Sequence, residues 1–163
     1  MPGQGCRDRF PQSKGRFTMK HLAVFAVTGM LASCVSYTEP PKSFATVPND
    51  RLLAFQDRST DSAVMIVTRD DGYMAGGGCY TAVLIDGVVA GRLGIGERAT
   101  FFLDPGRHVY GLSGDPMGKG LCALRIAQPQ KESSSEFKAN ETQKYRISGS
   151  SSESWLDIRP TTM

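Results

Sequence analysis

YTAVLIDGVVAGRL, residues 80–93, sets two apolar runs on either side of Asp86-Gly87. Val, Ile and Leu dominate both runs, and their pattern has the two-residue period of a strand rather than the 3.6-residue period of a helix. Asp-Gly between such runs is the signature of a two-residue type I′ turn, whose positive φ angles match the right-handed twist of the strands it joins. The stretch therefore reads as a β-hairpin, and it sets the class of the chain.

Outward from the hairpin the same period continues. Residues 63–67 (AVMIV) form a short β-rich run. Residues 99–103 end at Asp104-Pro105-Gly106, where Pro fixes one φ and Gly is free to take a positive one. The alternation resumes at 108–112, with further candidates at 121–126, 133–138, 144–148 and 155–158. A weak helical turn fits 50–55. Seven or eight short strands at this spacing predict an all-β fold, a small antiparallel β-sandwich.

The 163 residues carry 19 Lys and Arg against 16 Asp and Glu. Five of the bases and one of the acids precede Cys34, which leaves 14 bases and 15 acids, a net charge of −1, from Cys34 onward. A nucleic-acid binder concentrates base on its folded part, so nucleic acid is not an expected partner.

From Met19 the sequence reads MKHLAVFAVTGMLASC. A positive start, a ten-residue apolar run over 22–31 and small residues after it make a secretory signal. The run falls well short of the roughly 20 residues that span a bilayer. Its exit, Leu31-Ala32-Ser33-Cys34, resembles the lipobox of bacterial lipoproteins. That resemblance implies acylation of Cys34, cleavage before it, and a membrane anchor. Val35 stands where Asp would imply inner-membrane retention, so the resemblance implies the outer membrane, facing the periplasm. Residues 1–33 are then leader, with Met19 the expected start. Residues 34–50, with three prolines over 35–50, read as a lipidated cysteine and flexible tether, and 51–163 as the folded domain.

With Cys6 in the leader and Cys34 acylated, Cys79 and Cys122 remain. In an oxidising compartment they are expected to form a disulfide, each opening a strand; two free buried thiols are the alternative. A metal site is not expected, because no CxxC is present and His108 is the one histidine after the leader. No cofactor is expected either. Gly94-Ile95-Gly96-Glu97-Arg98-Ala99 matches a dinucleotide fingerprint, but Thr100-Phe101-Phe102-Leu103 follows it where that chemistry needs a helix N-terminus. Gly76-Gly77-Gly78 lacks the Lys-Ser/Thr of a P-loop. His108 alternates with Tyr110 and Leu112 and reads as a hydrogen-bonded, half-buried side chain. Ser133–Ser135 and the serines at 150–152 have no histidine nearby, Asn140-Glu141-Thr142 is a sequon by pattern only, and Trp155 reads as a core plug.

Asp86, Gly87, Gly91, Pro105, Gly106 and His108 also resemble the repeat pattern of PEGA-like envelope β-domains. The likeness covers about 30 residues of mostly turn chemistry, without the Pro-Glu-Gly-Ala signature, and it implies a small β-sandwich more than an activity. The expected function is that of a non-enzymatic structural or protein-interaction module of the cell envelope. It would meet the membrane through Cys34 and an unidentified envelope protein or the cell wall through a polar sheet edge such as 131–138. The alternative is an inhibitor or small-ligand binder, of the kind that blocks lysozyme. That reading needs a protruding loop, and 113–120 is the candidate, with Ser113, Asp115 and Lys119 as its contacts and the last two pointing outward.

Overall fold

A computed structural model describes residues 40–71, 78–125, 129–149 and 156–163. Cys34, Gly76, Gly77, the serines at 150–152 and Trp155 lie outside the described residues. Among the described residues nine strands run β1 (Ala45–Thr46), β2 (Ala63–Arg69), β3 (Thr81–Ile85), β4 (Val88–Leu93), β5 (Glu97–Leu103), β6 (Gly106–Gly114), β7 (Pro129–Phe137), β8 (Thr142–Ser148) and β9 (Asp157–Pro160). They form two sheets, ordered β1-β5-β2-β8-β9 and β4-β3-β6-β7.

Alternation builds the interior. Ala63, Met65 and Val67 of β2, Ala99, Phe101 and Leu103 of β5, and Tyr145 and Ile147 of β8 face Val83 and Ile85 of β3, Tyr110 and Leu112 of β6, and Phe137 of β7 in one buried cluster. The fold is thus the expected β-sandwich. The four-stranded sheet is antiparallel throughout, whereas the five-stranded sheet is mixed, with β2 parallel to β8 and β1 parallel to β5.

The β3–β4 hairpin turns where expected. Asp86 and Gly87 have φ of 51° and 77°, the positive angles of a type I′ turn. Gly91, across from Val83, is needed for a different reason: a Cβ there would lie 3.1 Å from the Phe101 ring.

Three expectations change. The segment read as tether enters the fold before residue 50. Ala45 and Thr46 pair with Glu97 and Arg98, Val47 is buried in the core, and a 3-10 turn, Asn49–Arg51, follows. A few apolar residues among prolines gave no periodicity, yet Val47 reaches the core, and backbone bonds from Leu53 and Ala54 to Ala90 tie the chain after it to β4. The predicted strand at 121–126 is instead a 3-10 helix, Gly120–Arg125. Its register leaves Leu121 exposed rather than in the core, and Gly120, at φ 58°, breaks any extended run. The predicted helical turn over 50–55 shrinks to Asn49–Arg51, because Leu52 bridges to Gly91 as an extended residue.

Candidate functional site

β2 and β8 run towards one end of the sandwich and β3 and β5 start from it. Cys79 precedes β3 at this end and is bonded to Cys122 of the 3-10 helix, with the Cα atoms 5.6 Å apart. The expected disulfide is present, although neither cysteine opens a strand: the bond ties the entry of β3 to the loop that leaves β6.

Three arginine–carboxylate pairs surround that bond. Arg51 grips Glu97 through both terminal nitrogens at 2.7 and 2.6 Å. Arg92 meets Asp115 through Nε and Nη2 at 2.6 and 2.7 Å, and Arg146 meets Asp70 in the same two-point way at 2.6 Å. Between the first two pairs lies Tyr80, with the Arg51 and Arg92 guanidinium carbons 4.4 and 5.1 Å from its ring centre. Such paired, stacked arginines suit a planar, two-point donor better than lysine would.

These pairs fix the charge of the end. The Arg92 bond, opposed by burial, holds the Asp115 carboxyl below the ordinary range. Burial alone would push Glu97 up, but the Arg51 bond and the Gly94 N–H bring it below its usual value. Arg69 completes the inward row of β2 where a hydrophobe would be expected. Its Nη1 donates to the carbonyls of Cys79 and Leu93 at 2.9 and 2.6 Å, and burial lowers its pKa to about 10 against the pull of Glu97.

The loop expected to display Ser113, Asp115 and Lys119 is turned the other way at two of the three. Ser113 belongs to β6 and is buried, its hydroxyl donating to the Gly114 carbonyl. Asp115 is buried too; besides Arg92 it accepts from the Met117 N–H at 3.0 Å. A lone aspartate in a glycine-rich loop looks solvent-facing, and its partner lies 23 residues away, out of reach of any local pattern. Only Lys119 is exposed, together with Met117 and Leu121.

At the opposite end His108 is held as expected. Nδ1 lies 2.6 Å from Asp86 Oδ2 and Nε2 lies 2.8 Å from the Asp104 carbonyl, while Asp86 Oδ1 accepts from the Val109 N–H. Two acceptors, one on each ring nitrogen, favour the imidazolium. Burial opposes that charge, yet the bonds to Asp86 and Asp104 prevail and the pKa is raised.

β7 is the remaining candidate. It pairs with β6 along one side and forms an edge of the four-stranded sheet. Lys131, Glu132, Ser133, Ser134 and Glu136 are exposed. Ser135 donates to Gln143 Oε1 at 3.0 Å, and the Gln143 amide donates to the Glu136 carbonyl at 2.8 Å. That carbonyl points away from β6. The alternation of an antiparallel ladder turns the N–H and C=O of Glu132 and Ser134 the same way.

The Gly94-Ile95-Gly96 segment is the turn between β4 and β5, with a strand and not a helix after it. Among the described residues no three His, Cys, Asp or Glu side chains gather as a metal ion would require, and no helix is long and apolar enough to cross a membrane. Compared with known proteins, the chain matches no family model, no curated protein and no solved structure.

Proposed function

We propose that this chain is an outer-membrane lipoprotein of the bacterial envelope, anchored through Cys34 and facing the periplasm. It works without catalysis, by holding an envelope protein or cell-wall partner at the β7 edge. Three features support the reading: the lipobox-like Leu31-Ala32-Ser33-Cys34 after an apolar run, the resemblance of the hairpin and its turns to PEGA-like envelope domains, and a disulfide of the kind that persists in oxidising compartments.

The observation that carries the partner reading is β7. Gln143 takes the Glu136 carbonyl and Lys131 pairs with Asp157 of β9, but between them the outward N–H and C=O of Glu132 and Ser134 are main-chain donors and acceptors for an extended segment lying beside the edge. Its exposed Glu132 and Glu136 bar self-pairing in the symmetric register centred on Ser134, which would set each Glu132 against a Glu136. A different chain with basic or neutral residues at those places fits better.

A photo-crosslinking residue at Ser134 in intact cells tests this, with Val88 on the far hairpin as control. A discrete adduct from 134 and none from 88 is expected. No adduct at 134, or equal adducts at both, would reject the β7 edge. Labelling with a palmitate analogue tests the anchor, and label retained by Cys34→Ser would sink it.

A further inference from the structure

The direction of β1 fixes where the chain reaches the fold. β1 runs parallel to β5, with Ala45 opposite Glu97 and its N–H on the Gly96 carbonyl at 3.0 Å. Residues before Ala45 therefore arrive at the disulfide-bonded end. Ten residues separate Cys34 from Ala45, and a fully extended chain of that length reaches no more than about 35 Å. An acylated Cys34 keeps this end near the bilayer.

The same end carries the most exposed apolar side chain of the described residues. Leu121 is 84% exposed, and Met117, four residues earlier, is 56% exposed. Their loop is held in place from three sides: Asp115 by Arg92, Gly118 N–H by the Asp115 carbonyl at 2.9 Å, and Cys122 by Cys79. A fixed loop gives up little conformational freedom on contact. Three of the arginines around it, Arg51, Arg92 and Arg146, are already neutralised by Glu97, Asp115 and Asp70, and Arg69 is buried away from the surface. Exposed Lys42, Arg98 and Lys119 stand against exposed Asp50 and Asp71, a small basic excess.

We infer that the disulfide-bonded end docks on the lipid surface, with Met117 and Leu121 entering the interface beside the anchor. The inference rests on the anchoring of Cys34 proposed above. It gives the disulfide a task beyond stability, since the bond sets the position of the inserting loop. It also orients the sandwich, leaving the β7 edge free along its side. A tethered surface needs only weak intrinsic affinity, because the anchor supplies a high local concentration. Contact made by an uncharged pair should also survive high salt.

Two methionines make the test internal. Met163 is 54% exposed, close to Met117, but it follows β9, which runs away from the disulfide-bonded end. The protein extracted from membranes is floated with vesicles of phosphatidylethanolamine and phosphatidylglycerol. It is then treated with chloramine-T, a charged oxidant excluded from lipid, and sulfoxide is counted residue by residue. Met117 should oxidise several-fold more slowly than Met163 on vesicles, at low and high salt, and at a similar rate in detergent.

Leu121→Asp, at an exposed position, should equalise the two rates on vesicles without releasing the protein. Equal rates in the floating wild-type protein would overturn docking and leave the anchor standing. Protection of Met117 that persists in detergent would assign the loop to a second copy of the chain and overturn the lipid reading. Protein that fails to float removes the anchor, and docking falls with it.

Discussion

The two ends of the sandwich are built on different principles. At the hairpin end, the turns are made by residues close in sequence, with the Asp86–His108 clasp across 22 residues the longer-range exception: Asp86-Gly87 turns β3 into β4, Asp104-Pro105-Gly106 leads β5 into β6, and Asn140, at φ 61°, turns β7 into β8. At the disulfide-bonded end, order comes from residues far apart. Arg51 finds Glu97, Arg92 finds Asp115, Arg146 finds Asp70, and Cys79 finds Cys122 across separations of 46, 23, 76 and 43 residues. Local turns form as the chain bends; long-range clamps form only once both sheets are in place. The first end is therefore robust to change at a distance, and the second should loosen as a unit when any clamp is cut.

Cutting the disulfide is the severest way to break that contrast. Replacing Cys79 and Cys122 with Ser frees a loop of 43 residues in the unfolded chain, and the chain-entropy account puts the loss near 4 kcal/mol. Denaturant titration should show the midpoint falling by that equivalent. Hydrogen exchange should quicken around β3 and the Gly120–Arg125 helix before the Asp86-Gly87 turn. Uniform quickening at both ends would refute the division.

Arg92 and Asp115 give the next largest effect. Asp115→Ala strands a mostly buried guanidinium and removes the acceptor of the Met117 N–H. Breaking one side of such a pair costs about 3 kcal/mol. Arg92→Met together with Asp115→Leu should recover much of it, because no charge is then left unpaired. A double-mutant cycle reads the coupling, and strict additivity would show that the pair does not act as a clamp. The sign of its pH dependence follows from the lowered Asp115 and Glu97. Their contribution is present above the ordinary carboxylate range and fades as pH falls through the lowered values. Acid should thus open this end first.

The contrast also accounts for what the sequence disclosed. The hairpin, the Asp-Pro-Gly turn and the inward rows of β2, β5 and β6 were legible because turn chemistry and alternation are local signals. The disulfide was legible by elimination among four cysteines. The arginine pairs were not, since nothing near Arg92 points to a carboxylate 23 residues on. Asp115 was read as outward for the same reason. Val47 was missed because a single core residue among prolines carries no period. Arg69 did leave a trace: it falls on the same row as Met65 and Val67, a charge at an inward position that a strict reading of alternation would flag.

Gly87 tests the hairpin end alone. With φ of 77° and open space around a built Cβ, a substitution there meets backbone strain and no clash. Gly87→Val should cost about 1–2 kcal/mol. The disulfide-bonded end should keep its exchange rates, and loss of protection around Cys79 would show the ends coupled after all.

The smallest effect, and the sharpest in sign, belongs to His108. Its pKa is raised, and that of Asp86 is lowered: burial pushes the Asp86 carboxyl up, but the bonds from His108 and the Val109 N–H outweigh it. The clasp therefore stabilises fully below the unfolded histidine value of about 6.5 and loses that contribution as pH rises through the folded value. It is lost again in acid as Asp86 protonates. Asp86 is well exposed, so the gain is expected to stay under about 1 kcal/mol. His108→Gln keeps a donor for Asp86 but no proton to lose, and it should flatten the decline in melting temperature above the unfolded histidine value of about 6.5 while removing only the small Asp86 share of an acid limb set mainly by Arg92–Asp115 and Arg51–Glu97. Loss of most of the acid limb as well would mean that the histidine acts across the whole sandwich. A decline that survives in the variant would place the alkaline-side titration on another group and leave the clasp a purely geometric brace for the turn.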